Sequence, residues 1–154
     1  MAKNTVNIQN KKARFNFELL EKYDAGIVLA GTEIKSIREG KASIAESFCE
    51  FNEKGELFVI NMTIQEYSHG NYFNHNPKNS RKLLLQKNEL RKLHKKVKNT
   101  GLTIVPLKVY LNDRGLAKMK ISLAKGKKLH DKRQTLKDRE TKRKLDQVKK
   151  AFNS

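Results

Sequence analysis

The side chains of this 154-residue chain best suited to bind a metal or to work as acid and base are four histidines, one cysteine and sixteen carboxylates. His69 and His75 bracket Gly70-Asn71-Tyr72-Phe73-Asn74, an arrangement open to a metal site or to an aromatic platform on which bases stack. The cysteines and clustered acids that would complete a ligand set are missing around it. Asn74-His75-Asn76-Pro77 reads equally as an ordered loop whose polar side chains bond the backbone. His130-Asp131-Lys132-Arg133 places an imidazole beside a carboxylate, but a hydrolytic centre also needs a positioned nucleophile or metal and a pocket that excludes water. There is no phosphate-cradling Gly-rich loop, no His-Glu-x-x-His and no paired carboxylates in a polar motif. The lone acids Glu33, Glu39 and Glu66 read as surface charges. Cys49, within Ser47-Phe48-Cys49-Glu50-Phe51, reads as a packing thiol in a strand, and alone it forms no internal disulfide. The chemistry on offer is therefore binding, with no enzyme activity, cofactor or metal expected.

Cations are what the chain has in excess. Thirty-four Lys and Arg against 16 Asp and Glu leave a formal charge of +18, whose self-repulsion is relieved by a polyanionic partner. Nucleic acid is the first candidate. An anionic membrane is the alternative, but no apolar run approaches the roughly 20 residues of a spanning helix, and no signal-peptide apolar region opens the chain. A soluble, cytoplasmic protein is expected, acting as a monomer, without membrane or small-molecule partners. Arg81-Lys82-Leu83-Leu84-Leu85 joins two phosphate-capable cations to an apolar anchor, although the pair also fits a solvated helix entrance.

Such side chains need a scaffold, and short apolar runs outline it. Residues 1 to about 8 are expected to be a mobile N-terminus. Phe15 to Leu20 and Ile27 to Leu29 predict two strands separated by a break at Tyr23-Asp24-Ala25-Gly26. Gly31-Thr32 opens a short helix with Thr32 as N-cap and Gly40 past its end. Ile44 to Phe51 and Glu56 to Met62 form a hairpin around Asn52-Glu53-Lys54-Gly55. Leu90, Leu93 and Val97 recur at helical spacing before the stop at Asn99-Thr100-Gly101. Leu102 to Leu111 and Leu116 to Leu123 make a second hairpin. In its last strand Ala117, Met119, Ile121 and Leu123 face the core, while Lys118, Lys120 and Ser122 form a cationic face. Hairpins with an inserted helix and no regular strand-helix alternation predict a mainly β fold, a closed oligonucleotide-binding-type barrel with short helices, over residues 9–124.

Composition changes at Lys125. Residues 125–154 are read as a basic C-terminal tail, which holds a net +8 over 125–150 and leaves +10 for the body. Its large apolar residues, Leu129, Leu136, Leu145, Val148 and Phe152, are too sparse to offset the ordering entropy, so the free tail is expected to be disordered. It nevertheless contains the acid-first pairs Asp138 to Lys142, Glu140 to Lys144 and Asp146 to Lys150, each adding roughly 0.2 to 0.5 kcal/mol to a helix. A helix formed on binding a polyanionic groove is the expectation.

In order and spacing, Asn10-Lys11-Lys12-Ala13, Asp24 to Leu29, Gly31 to Arg38, the loop from Tyr67 to Leu85, Thr103-Ile104-Val105-Pro106-Leu107, Leu123 to Lys128 and Asp131-Lys132-Arg133 resemble the bacterial small protein B family. The resemblance covers nearly the whole chain. It implies a barrel that binds the tRNA-like domain of transfer-messenger RNA (SsrA RNA) and helps deliver it to stalled ribosomes for trans-translation. It further implies RNA contacts at Asn10, Lys11, Lys12, Asp24, Lys35, Arg38, Arg81, Lys82, Leu84, Lys125 and Gly126. The tail would meet the ribosome, near ribosomal RNA of the decoding centre and message channel, through Lys127, Lys128, His130, Asp131, Lys132, Arg133, Arg139, Lys142 and Arg143. Two positions depart from the family habit, Asp24 where Glu is usual and Asn79 where Arg is usual. A structural ribosomal protein, permanently bound to ribosomal particles, and a metal-dependent nuclease are the competing classes.

Overall fold

The computed structural model describes residues 6–69 and 74–126, and Arg143 beyond them. The elements in chain order are β1 (Asn7–Gln9), α1 (Ala13–Asn16), β2 (Phe17–Ile27), α2 (Gly31–Arg38), β3 (Ala42–Ser43), β4 (Phe48–Phe51), β5 (Leu57–Ile60), β6 (Thr63–Ile64), β7 (Arg81–Leu84), α3 (Lys87–Thr100), β8 (Thr103–Leu111) and β9 (Ala117–Gly126). Six strands run in the order β8-β4-β5-β7-β2-β9, and β9 pairs back onto β8, so the sheet closes into an antiparallel barrel. The expected mainly β barrel with inserted helices is present. A β3–β6 pair stands apart from the ring.

The alternation of β9 sends Ala117, Met119, Ile121 and Leu123 inward, where they meet Leu57, Val59, Leu83, Ile104 and Val109, all at most 6% exposed. Ile37 of α2 and Leu93 of α3 join the same core, and both are fully buried. A second, smaller cluster lies elsewhere: Val105 and Ala124 pack with Ala13 of α1, and Phe17, Leu19 and Leu107 cover them. The short helix thus coats the outside of β2, β8 and β9 over one stretch, and both faces of the strands are apolar there. Ser122, between Lys22 and Val105, is fully buried, and the expected cationic face ends at Lys120.

Several expectations are corrected. The break at Tyr23–Gly26 does not exist, because β2 is continuous and its irregularity is a bulge at Leu20, between the pairs Leu19–Ala124 and Glu21–Leu123. Ala25 and Gly26 simply present little side chain where the strand passes the core and Leu84. Asn7 and Ile8, expected in a mobile terminus, pair with Tyr110 and Val109 of β8. Lys125 and Gly126, assigned to the tail by composition, are the last residues of β9 and pair with Glu18 and Phe17. At α2 the N-cap is Ala30, whose N–H donates to Glu33 Oε1 at 2.9 Å; Thr32 is already helical. The helix stops as expected at Gly40, with φ +74°, where the N–H groups of Gly40 and Lys41 reach back to the carbonyls of Ile37 and Ser36. Both expected hairpins form, with Gly55 and Gly115 at φ +77°. The expectation of a tail that is disordered when free falls outside the described residues; of its named residues only Arg143 is described, helical and exposed.

Candidate nucleic-acid interface

The outer surface of β7–β2–β9–β8 gathers polar side chains that are far apart in sequence. Register places Asp24 beside Lys120, Gly26 beside Lys118, and Lys108 and Tyr110 beside Lys120 and Lys118 on the far side of β9. The Tyr110 hydroxyl donates to Asp24 Oδ1 at 2.8 Å, and Lys108 Nζ sits 5.3 Å from the centre of the Tyr110 ring. Desolvation of the phenol, followed by its bond to Asp24, pushes the Tyr110 pKa up to about 12. Asp24 is thus an oriented acceptor on an otherwise cationic face. Gly26 keeps the centre of this face low: a Cβ there would come within 3.4 Å of Leu84 Cβ and 3.7 Å of Lys118 Nζ. Leu84, at 52% exposure, and Val28, at 50%, form an apolar margin beside it.

At the β8 end the face opens into a hollow of about 490 Å³ lined by Gln9, Asn10, Lys11, Arg14, Lys22, Leu107, Lys108 and Lys120. Five of these residues are cations and none is an acid. The hollow owes its position to a bulge at Leu107, between the pairs Pro106–Ile121 and Lys108–Lys120. The bulge frees two carbonyls, and Asn10 takes both: its backbone N–H donates to Leu107 O at 2.8 Å and its Nδ2 to Pro106 O at 3.0 Å. Asn10 Oδ1 is buried with no partner among the described residues. An amide pinned by its donor, with its acceptor unspent, positions the start of α1 and so Lys11 and Arg14.

The residues expected to contact RNA therefore divide. Asn10, Lys11, Asp24 and Leu84 come together on this surface. Lys12 is exposed, 3.9 Å from Glu46, and Lys125 and Gly126 are exposed at the end of β9. Lys35 and Arg38 are exposed on α2, and Lys35 Nζ lies 5.4 Å from the Tyr67 ring centre, away from the hollow. Lys82 pairs with Glu56 at 2.5 Å, and that ammonium, followed by the Asn52 amide, holds the Glu56 carboxyl below its usual range.

Arg81 is the clear exception. It is 3% exposed and donates to Glu33, to Met62 O and Asn79 O at 2.8 Å, and to Asn76 O and Pro77 O at 3.1 Å. No donor is left for a phosphate, so the expected RNA contact is replaced by an internal tie between α2, β7 and the loop before it. Glu33, expected on the surface, is 7% exposed as its partner. His75 completes the tie: its Nε2 meets Ile64 O at 2.9 Å and its Nδ1 meets Thr32 Oγ1 at 2.9 Å. A carbonyl only accepts, so Nε2 carries a proton and donates it, while Nδ1 shares a hydrogen bond with the threonine hydroxyl, which can donate or accept. With Asn74 bonding both backbone groups of Tyr67, the ordered-loop reading of this segment holds. Residues 70–73 and the tail residues Lys127, Lys128, His130, Asp131, Lys132, Arg133, Arg139 and Lys142 fall outside the described residues.

Sequence reasoning missed Arg14, Lys22, Lys108 and Tyr110. Lys118 and Lys120 were legible as one face of a strand, but their β2 partners depend on a register that closes over about a hundred residues, and Lys108 opposite Lys120 depends on the bulge at Leu107. Among the described residues there is no cluster of three or more potential metal ligands and no helix long and apolar enough to cross a membrane.

The chain resembles known proteins over nearly its whole length. The family model "SmpB protein" matches residues 7–151. An SsrA-binding protein of Christiangramia forsetii is 69% identical over 150 residues, covering 97% of this chain and 95% of the relative. One from Flavobacterium johnsoniae is 62% identical, covering 97% and 98%. A chain from a solved structure described as "tmRNA-SmpB: a journey to the center of the bacterial ribosome" superimposes with a TM-score of 0.67 at 50% identity, covering 81% of this chain and 87% of that one.

Proposed function

The chain belongs to the SmpB protein family, and on that premise we propose that it binds the tRNA-like domain of transfer-messenger RNA on the β7–β2–β9–β8 face and acts with it at stalled ribosomes in trans-translation. The observation that carries the placement is the acid-free hollow of Lys11, Arg14, Lys22, Lys108 and Lys120 beside an oriented Asp24. A rigid cationic sheet suits a folded RNA, which is read through backbone and shape. Asn10, Lys11 and Asp24 contact the RNA at the centre; Leu84 and Lys82 flank it; Lys12, Lys125 and Gly126 extend it around α1. Lys35 and Arg38 form a separate contact from α2. The protein is a binding factor without a catalytic step, works in the cytoplasm, and has the ribosome as its second partner.

Residues 127–154 supply ribosome sensing, from Lys127, Lys128, His130, Asp131, Lys132 and Arg133 to Arg139, Lys142 and Arg143, as a helix formed in place. The test of the interface is the affinity of the transcribed tRNA-like domain for the Lys22→Glu, Lys120→Glu double variant. We expect at least a tenfold loss and a salt slope lower by about 0.9 per cation removed. Unchanged affinity in a folded variant removes the interface from this face.

A further inference from the structure

The cationic hollow is the first of four that share walls. Asn10 also lines a hollow of about 230 Å³ with Phe17, Phe48 and Thr103. Phe48 and Thr103 in turn line one of about 390 Å³ between β4 and α3, together with Phe51, His94, Val97 and Lys98. His94 belongs to that one and to another of about 420 Å³ with Lys54, Lys87, Leu90 and Arg91. Neighbouring hollows thus share Asn10, then Phe48 and Thr103, then His94, in a series from β1 to the exposed face of α3.

Two features of the far half are unexplained by stability. Phe48 is 37% exposed in a strand whose next residue, Cys49, is buried, and it stands where two hollows meet. Beside it the Phe51 and His94 rings stack at 4.7 Å with a 39° tilt. Meanwhile α3 exposes Lys87, Arg91, Lys92, Lys95 and Lys98, and none has an ion-pair partner among the described residues. Glu50 and Glu53 also line this stretch, against Lys54, Lys87, Arg91 and Lys98. Aromatic rings at the floor and unpaired cations on the wall are what an unpaired polynucleotide needs: a flat surface for a base and positive charge for its phosphates.

Resting on the RNA-binding reading above, we propose that the groove between β4 and α3 holds an unpaired stretch of the RNA whose folded part lies on the β2–β9–β8 face, with a base stacked on Phe48 and phosphates at Arg91 and Lys98. The folded part and the unpaired stretch are then bound by separable surfaces.

The test measures two affinities with the full chain, for a labelled uridine octamer and for a tRNA-like RNA without unpaired extensions. Phe48→Ala should weaken octamer binding about tenfold and leave the folded RNA within about twofold. The Lys22→Glu, Lys120→Glu variant should do the reverse. Phe48→Leu, which keeps apolar area without the ring, should resemble Phe48→Ala. If Phe48→Ala does not fold, as judged by its melting curve, the Arg91→Glu, Lys98→Glu variant decides, with the same loss expected for the octamer. The proposal fails if octamer binding is unchanged in the folded variants, or if an abasic octamer of equal charge binds as tightly. It also fails if an acidic peptide fills the groove more tightly than the octamer, which would mark a protein partner. Should the wild type not bind the folded RNA at all, the interface reading is lost, while the octamer still reports on the groove.

Discussion

Arg81 and Asp24 show how differently two charged residues in neighbouring motifs can be employed. Arg81 and Glu33 form a buried pair whose remaining donors are all spent on backbone carbonyls, so removing one partner leaves an uncompensated charge. Arg81→Met should cost about 3 to 5 kcal/mol in urea unfolding. At a temperature where the variant is folded, its RNA affinity should fall far less than that of Lys22→Glu; a large affinity loss with unchanged stability would restore Arg81 to the interface. Asp24 is exposed, and among the described residues the Tyr110 hydroxyl is the side chain that tethers it. Because folding raises the Tyr110 pKa from 10.0 to about 12, the unfolded chain loses that proton first. The stabilisation is complete below pH 10 and disappears as the pH rises towards 12. An ultraviolet phenolate titration should therefore show a late-ionising tyrosine that Tyr110→Phe removes and Asp24→Asn shifts downward. Tyr23, raised to about 12 chiefly by desolvation and then by its bond to Glu21, should be unaffected by either change.

At the scale of elements, stops and starts follow local chemistry closely. Gly101, at φ +66°, ends α3 in left-handed backbone, with nothing near the space a Cβ would take. Gly101→Ala should then cost about 1 kcal/mol from conformation alone, measurable as a shift in the urea midpoint without loss of the helical signal. Such positions were legible because turns are written in adjacent residues: Gly40, Gly55, Gly101 and Gly115 all stand where the sequence reading placed a turn or helix end. The period-two pattern of Ala117 to Leu123 likewise exposed the barrel's inner face. What escaped were features decided by distant partners. The pair Ala25-Gly26 resembles a turn locally, yet pairing with β9 and β7 keeps it extended. Ser122 alternates with lysines but is buried between Val105 of β8 and Lys22 of β2. Glu33 looked solvated until Arg81, 48 residues later, reached it. Half of the candidate interface shared this fate, since Lys22 and Lys108 meet only through the two edges of β9.

For the whole molecule, charge and topology act on different parts of the task. With Lys125 in β9, the formal charge of +18 divides into +11 through residue 126 and +7 beyond it. A chain ending at Lys128 retains every strand of the ring, and we expect it to bind the tRNA-like RNA with nearly full affinity while no longer supporting tagging on stalled ribosomes. Arg139→Pro should have the same effect at about 3 kcal/mol of helix cost; intact tagging by that variant would show that the tail does not work as a helix. The ring itself carries a kinetic consequence. β9 is the single strand that joins the open edges of β2 and β8, and its pairing of Gly126 with Phe17 spans more than a hundred residues. During synthesis neither edge can be paired before residue 117 is added; β8 is then met by a local hairpin, whereas the β2 edge is not covered in full until residue 126. The nascent chain consequently carries two unpaired strand edges until its last strand arrives. Closure of so non-local a contact is slow compared with hairpin formation, which makes this interval the one in which the chain is most open to pairing with another copy of itself.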